Sequence, residues 1–530
     1  MRRRRWRSDP AALPDPAALP DPAALPDPAA LGELPSILAL AVDTPMAGRV
    51  RRGVVWTAGS RALIQVLQVA ATAMLARLLS PSDYGLSALV AVVAGFAAIL
   101  VDLGIPSAVI QRPNIDARFL STAFWMNFGV GVLMAALVCA AAVPTAHFFH
   151  EPQLVGLMLL SSLTFVLSLN AVHVAVLQRS LAFGVISRMS ILTTSVGLVV
   201  SVAAAAAGMG AVSLVLGPVA ERATSVLQVW LAVRWLPRYR PSRQAAREIW
   251  SFGRGLAGTN ILMYWVESLD RTIIGRFVTI ADLGFYNRAS NLMMLPIQQT
   301  THTLSGVFYP ALATMAMDPA RMRNAWLRLV RAAWIVGIPI SLGLVLTAPE
   351  LVATLYGPGW GPVVPILVVV SAGVPFLLLA ATAAPVYQAL GRTGLQFRLS
   401  LINAAVAFVA LSIGIHWGVI GVAVAVVVRS FAGVAVTIPL LLRLLGIPMR
   451  RMLAALWRSL ASGAVMAAAV WGTAVLARDL ARPLALALEV LTGLAVYGPA
   501  AWYLERETLR ELVGRRRSKV RVAVELEERV

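Results

Sequence analysis

From about residue 54 to residue 503 the chain repeats one pattern, apolar runs of roughly twenty residues separated by short polar or arginine-bearing turns. A hydrocarbon core about 30 Å thick is crossed by roughly 20 residues of α-helix, so each run reads as one spanning helix. The pattern predicts about fourteen of them, near 54–79, 84–104, 119–143, 154–176, 189–207, 211–234, 255–276, 284–305, 329–348, 362–387, 399–416, 418–441, 459–477 and 484–503. The predicted fold class is therefore an all-α integral membrane protein, with no room for a soluble domain between spans.

Composition agrees. Of 530 residues, 59% are hydrophobic and 13% charged, against roughly 25% charged in an ordinary soluble domain; mean hydropathy is +0.77. The net charge of +20 would suggest a nucleic-acid partner in a soluble protein. Here the arginines gather in alternate short turns, at Arg112 and Arg118, Arg179 and Arg188, 238–247, 321–328, Arg392 and Arg398, Arg450 and Arg451, and the 510–521 tail. Short loops rich in arginine stay in the cytoplasm, so charge is an orientation signal, no nucleic acid is expected, and an even helix count puts both termini in the cytoplasm. The intervening turns are brief, which leaves nowhere for an enzymatic domain. No catalytic site, cofactor or P-loop of the form GxxxxGK[ST] is legible. Cys139 has no partner for a disulfide, and His147, His150 and Glu151 on one outer turn read as solvated residues and not as a metal site.

Residues 9–31 repeat Asp-Pro-Ala-Ala-Leu-Pro, and so many prolines favour an extended, solvated chain. We read 1–45 as a disordered leader, with Met46 as a second candidate start. The remaining divisions are an N-lobe over 46–234, a cytoplasmic linker over 235–254, a C-lobe over 255–441, two further helices within 442–505 and a basic tail over 506–530.

The two lobes are predicted to be copies. Shifting ARLLSPSDYGLSAL by about 199 residues lays it on GRFVTIADLGFYNR, with Arg77 on Arg276, Asp83 on Asp282 and Gly85 on Gly284. The same shift superposes two polar stripes. Arg61, Gln65, Gln68 and Thr72 share one face of the first helix, and Asn260, Tyr264, Glu267 and Arg271 occupy the matching positions on the seventh. Repeated halves around a central site are a common transporter architecture, because rocking one half against the other exposes the site alternately.

These segments, together with Val101-Asp102-Leu103-Gly104, Asp270-Arg271, Ile273-Ile274-Gly275-Arg276 and Leu283-Gly284-Phe285-Tyr286-Asn287, resemble the Wzx-like oligosaccharide flippases of the polysaccharide transporter family. That family sits within the multidrug/oligosaccharidyl-lipid/polysaccharide exporter superfamily, and the exopolysaccharide exporters of the colanic-acid type are the nearest in pattern. The resemblance spans about residues 50–505. It implies two pseudo-symmetric six-helix lobes around a central lumen plus two C-terminal helices. It also implies an undecaprenyl-pyrophosphate-linked glycan as substrate, carried to the outer leaflet of a bacterial inner membrane, with membrane lipids and a polysaccharide polymerase and co-polymerase as partners.

A charge within the bilayer must face water or a partner. Guanidinium suits a pyrophosphate through bidentate donation, so Arg61, Arg222, Arg271 and Arg429 are candidate substrate ligands, and Gln65, Gln68, Asn260 and Tyr264 candidate contacts to glycan hydroxyls. Glu221, Glu267 and Asp270 are candidates for ion coupling. Glu267 and Arg271 stand four apart, where they can instead neutralise each other. Pro106, Pro218, Pro296, Pro339 and Pro375 are candidate pivots. Two other readings remain at this stage, a cation-coupled small-molecule exporter on the same scaffold and a non-transporting membrane scaffold.

Overall fold

The computed structural model describes residues 46–504 except Leu103, Pro113, Asn114, Leu181, Arg234, Thr314, Ala316 and Met317; the side chains of 46–55, Asp102, Gln111, 252–260, 299–313, Pro319 and Thr393 also lie outside it. The leader 1–45 and the tail 506–530 fall outside the described residues. The N-lobe comprises α1 (Met46–Leu78), α2 (Pro81–Asp102), α3 (Ile105–Gln111), α4 (Ala117–Phe149), α5 (Gln153–Val166), α6 (Ala171–Arg179), α7 (Phe183–Ala206) and α8 (Ala211–Val233). The C-lobe comprises α9 (Arg243–Phe277), α10 (Ile280–Ala313), α11 (Pro319–Leu355), α12 (Val363–Ala372), α13 (Val374–Ala381), α14 (Ala383–Ala389), α15 (Thr393–Gly414) and α16 (Gly418–Leu445). Helices α17 (Met449–Leu476) and α18 (Arg482–Leu504) follow and pack on α11.

Each of the fourteen expected spans coincides with a helix or a broken helix. Among the described residues eight stretches are long and apolar enough to cross a membrane, or ten when two bent pairs each count as one span. One of the eight, Gly394–Leu445, holds both α15 and α16 around a 3₁₀ turn at Ile415–Trp417. Helices α8, α9 and α10 reach spanning length without that apolarity. They carry the charges, Glu221 and Arg222, then Glu267, Asp270, Arg271 and Arg276, then Asp282 and Arg288. Of the candidate pivots, Pro106 and Pro375 stand in the first turn of a new helix, Pro106 in α3 after Gly104 and Pro375 in α13, where 374–389 bends by 40° from α12. The 235–254 connection is helical from Arg243 onward and runs without interruption into the seventh span.

The duplication is visible in the packing. Ser80 and Asp83 cap each other at the start of α2, with the Ser80 hydroxyl donating to Asp83 Oδ2 (2.6 Å) and the Asp83 N–H to Ser80 Oγ (3.3 Å). Thr279 and Asp282 repeat that box before α10, at 2.7 Å and 3.1 Å. The box satisfies amides that a helix start leaves unpaired. The two starts then cross each other. A Cβ on Gly85 would lie 2.0 Å from the Ile280 carbonyl oxygen, and one on Gly284 would lie 1.9 Å from that of Pro81. Since Pro81 is the counterpart of Ile280 and Gly85 that of Gly284, the contact is the same patch used twice about a pseudo-twofold axis. Only glycine admits so close an approach of backbones.

The apolar core divides accordingly. One cluster draws on both lobes, including Leu89, Met158 and Val215 with Ile274, Leu283 and Val363, mainly in the helix halves near the 80–83 and 279–282 turns. At the opposite, arginine-rich end the core of the described residues falls into two clusters. Ile105, Phe119, Val176 and Val233 belong to an N-lobe cluster that also takes Ala245 and Ile249 from the start of α9. Met322, Trp326, Val386 and Leu441 belong to a separate C-lobe cluster. Among the described residues the lobes share one core at the turn end and fall into separate clusters at the other.

Candidate transport passage

Aromatic and arginine side chains complete the closure at the turn end. The Trp360 indole N–H donates to the Ala76 carbonyl (2.8 Å) and the ring meets Tyr84 edge-on with centroids 5.3 Å apart. Arg288 of α10 lies over the Tyr84 ring of α2, 4.2 Å from its centroid, which trades hydration for a cation–π contact. Counterpart arginines reach across to the opposite lobe. Arg77 donates to the Thr354 carbonyl at the end of α11 (3.1 Å), and Arg276 bonds His150 Nδ1 at the end of α4 (3.3 Å). His150 ends α4 in the left-handed region with φ 60°, so this histidine is occupied by helix capping and by Arg276.

Within the N-lobe, α2, α5, α7 and α8 border an open cavity of about 620 Å³ lined by Ser87, Thr164, Thr193, Glu221, Arg222 and Ser225, among others. Helix α8 passes close to α7 because Gly217 and Gly197 face each other, which places the charged turn after Pro218 against the cavity. There Arg222 donates to Asn170 Oδ1 (3.3 Å), Asn170 donates to Ser225 Oγ (2.7 Å), and Thr194 donates to Glu221 (3.2 Å). A cavity of this volume with a few fixed polar groups has the make-up of a small-molecule or glycan site.

The C-lobe candidates form a second cluster. Asp270 accepts from the Tyr286 hydroxyl (2.5 Å) and from the Arg271 N–H (2.8 Å). Arg429 donates to the Val266 carbonyl (3.1 Å) and is within electrostatic reach of Tyr286. Arg271 is half-buried with Nε unbonded, while Glu267 is exposed. The alternative pairing of Glu267 with Arg271 is not made among the described residues. The Arg271 guanidinium is within electrostatic reach of Tyr264, about two turns back along the same helix.

Tyr264 joins the two regions. Its hydroxyl donates to the carbonyls of Val92 (2.6 Å) and Ala91 (3.1 Å) in α2, and it lies against Gly95, which lines the N-lobe cavity from the other side. Here α9 packs on α2, across the lobe boundary. No comparable packing of α1 on α10 occurs among the described residues, and α1 lies on α7 of its own lobe. Arg61 and Gln68 are consequently exposed on α1, and Arg61 makes no hydrogen bond or ion pair among the described residues; Gln65 is half-buried and engaged. Arg61 and the α9 stripe are therefore not brought into contact, and the candidates fall into an N-lobe cluster, a C-lobe cluster and an unpacked α1 face. The Asn260 side chain lies outside the described residues. Sequence reasoning missed Asn170, Thr194 and Tyr286, which are uncharged and become partners only through packing. Among the described residues no three His, Cys, Asp or Glu side chains are grouped to hold a metal ion.

Residues 74–365 match the family described as Polysaccharide biosynthesis protein. The chain is 24% identical over 352 residues to the teichuronic acid biosynthesis protein TuaB of Bacillus subtilis, covering 66% of this chain and 73% of that one. It is 25% identical over 372 residues to the succinoglycan biosynthesis transport protein ExoT of Rhizobium meliloti, covering 70% and 75%. In fold it is similar to the lipid II flippase MurJ in an inward closed conformation, with a TM-score of 0.67 at 16% identity over 86% of this chain and 100% of that one. An inward-facing multidrug resistance MATE family transporter gives a TM-score of 0.56 at 14% identity, over 74% and 95%.

Proposed function

The chain belongs to the polysaccharide biosynthesis protein family, and from that membership and its two-lobed build we propose that it is a flippase moving polyprenyl-pyrophosphate-linked oligosaccharide units across the membrane for surface polysaccharide assembly. The observation that carries this reading is the division of the core among the described residues, with one apolar cluster common to both lobes at the turn end and two separate clusters at the arginine-rich end. Such a molecule is shut on one side and free to part on the other, which is one of the two states alternating access requires.

The arginine-rich end is cytoplasmic by the charge of its loops, which makes this the inward-facing state, with both termini inside and a bacterial inner membrane as the site of action. The N-lobe cavity then takes sugar residues, with Arg222, Asn170 and Ser225 offering donors and acceptors to hydroxyls. Arg61, exposed where α1 stands off from α10, meets the pyrophosphate while the polyprenyl tail stays in lipid. Arg271 and Arg429 keep the C-lobe side of the path cationic, and Glu221, Glu267 and Asp270 are the carboxylates available for ion coupling. The work is translocation and breaks no bond, so no enzymatic role is assigned. A polymerase and co-polymerase acting on the delivered units are the expected partners.

The test is reconstitution of the full chain in vesicles holding a fluorescent polyprenyl-pyrophosphate oligosaccharide in the outer leaflet. Loss of dye accessibility well above the rate of protein-free vesicles supports the assignment; rates equal to those vesicles, with folded protein present, overturn it.

A further inference from the structure

A second cavity of about 550 Å³ lies outside the passage, at the arginine-rich end, where the turn between α3 and α4 faces the connection into α9. Arg112, Arg118 and Arg240 line it, with Asp116, Ser242 and Glu248. Its floor is fixed. The Arg179 guanidinium donates to the carbonyls of Val109 (3.3 Å), Ile110 (3.1 Å) and Arg112 (2.5 Å), closing the end of α3 and fixing the backbone that carries Arg112. Arg112 is stacked on Phe119, 4.2 Å from the ring centroid. On the facing wall the Ser242 N–H donates to Thr122 Oγ1 (3.0 Å), tying the α9 connection to α4.

Each acid in the cavity has a partner. Asp116 caps α4 by accepting from the Phe119 N–H (3.1 Å). Glu248 faces Arg112 at 3.6 Å, with side chains 51% and 32% exposed, a pairing weak enough to be exchanged. Arg118 and Arg240 are exposed and make no ion pair among the described residues, Arg118 only approaching the Tyr239 ring at 5.9 Å. The α4 N-terminus adds its positive end to the same space. Leu236 and Tyr239, exposed beside it, suit the level of the bilayer where headgroups and first methylenes meet.

We infer that this cavity binds a phosphate headgroup carried by a membrane lipid, held by Arg118 and Arg240 from opposite walls with Arg112 as a third donor. Guanidinium groups on two walls match the several oxygens of a phosphate better than any one of them alone. One wall belongs to the N-lobe and the other opens α9, the first C-lobe helix, so an occupied site clamps the connection between the lobes. The headgroup has two sources, an anionic phospholipid or the pyrophosphate of a polyprenyl-linked substrate waiting outside the passage.

The experiment places the full chain in phosphatidylcholine nanodiscs and follows hydrogen exchange over 239–248 during separate titrations with phosphatidylglycerol and with undecaprenyl pyrophosphate. Protection by phosphatidylglycerol identifies a structural lipid, and protection by undecaprenyl pyrophosphate alone identifies a waiting substrate; either supports the site. Arg118→Ala/Arg240→Ala, both exposed positions, weakens the protecting ligand by at least about tenfold at an unchanged melting temperature. Glu248→Gln, which frees Arg112, tightens it, whereas a merely structural Glu248 would weaken it. No protection by either ligand, or equal protection of the double variant, overturns the inference. Binding is read without translocation, so the result stands apart from the transport assignment.

Discussion

Replacing Gly85 or Gly284 by alanine tests the crossing of the two lobes. A methyl group on Gly85 would sit 2.0 Å from the Ile280 carbonyl oxygen and 2.7 Å from Ile280 Cγ2; one on Gly284 would sit 1.9 Å from the Pro81 oxygen. A carbon and an oxygen rest at about 3.3 Å or more, so α2 and α10 must part by about 1.3 Å. Backbone atoms cannot rotate aside as a side chain can. Overpacking of this kind costs about 1–3 kcal/mol, and if the crossing exists only while the turn end is shut, that cost falls on the closed state alone. The ratio of outward-open to outward-closed molecules then rises about 5- to 150-fold. Spin labels at Gln153 and Gly361, exposed on opposite lobes at the turn end, in a Cys139→Ser background, report this as a second, longer distance in pulsed electron resonance. Gly129→Ala, where an added Cβ meets nothing within 4 Å, is the control and keeps one distance. A folded Gly85→Ala protein with the distance distribution of the control would refute the reasoning.

Two further outcomes follow from the interior polar groups. Arg222→Ala removes the donor to Asn170 Oδ1 and leaves Glu221 as the sole charge of the cavity; translocation falls at least about tenfold while stability drops by only about 1 kcal/mol, read by vesicle flux and chemical denaturation. Glu489 of α18 is 1% exposed, has no bond to Oε2, and is acted on by a second carboxylate, Glu350. A lone acid so placed is costly, so Glu489→Gln raises the melting temperature with transport unchanged, and a lower melting temperature would show that the carboxylate has a partner.

Helix positions were legible because hydropathy is a local property, and even the three polar spans α8, α9 and α10 declared themselves by length between turns. The duplication was legible too, since one shift aligns Asp83 and Gly85 with Asp282 and Gly284, but that the two glycines meet the opposite backbone was not, because a repeat does not say how its copies pack. The path itself was only half readable. Spacing placed Arg61, Gln65 and Gln68 on one face and Tyr264, Glu267 and Arg271 on another, but a face does not say what it packs against. In the fold α9 lies on α2 and spends the Tyr264 hydroxyl on two backbone carbonyls, while α1 turns to α7 and leaves Arg61 exposed. Glu267 and Arg271 have pairing distance along the helix, yet no ion pair joins them among the described residues. The Asp270–Tyr286 bond spans the α9–α10 turn and the Arg222–Asn170 bond joins distant helices; neither leaves a periodic trace.

The account rests on the turn end having to open for cargo to leave. Cysteines at Gln153 and Gly361, joined by a cleavable cross-linker in the Cys139→Ser protein, hold that end shut in reconstituted vesicles. The account predicts that cross-linked protein carries no lipid-linked oligosaccharide beyond the protein-free rate and recovers on cleavage. Undiminished transport with the cross-link intact would contradict it.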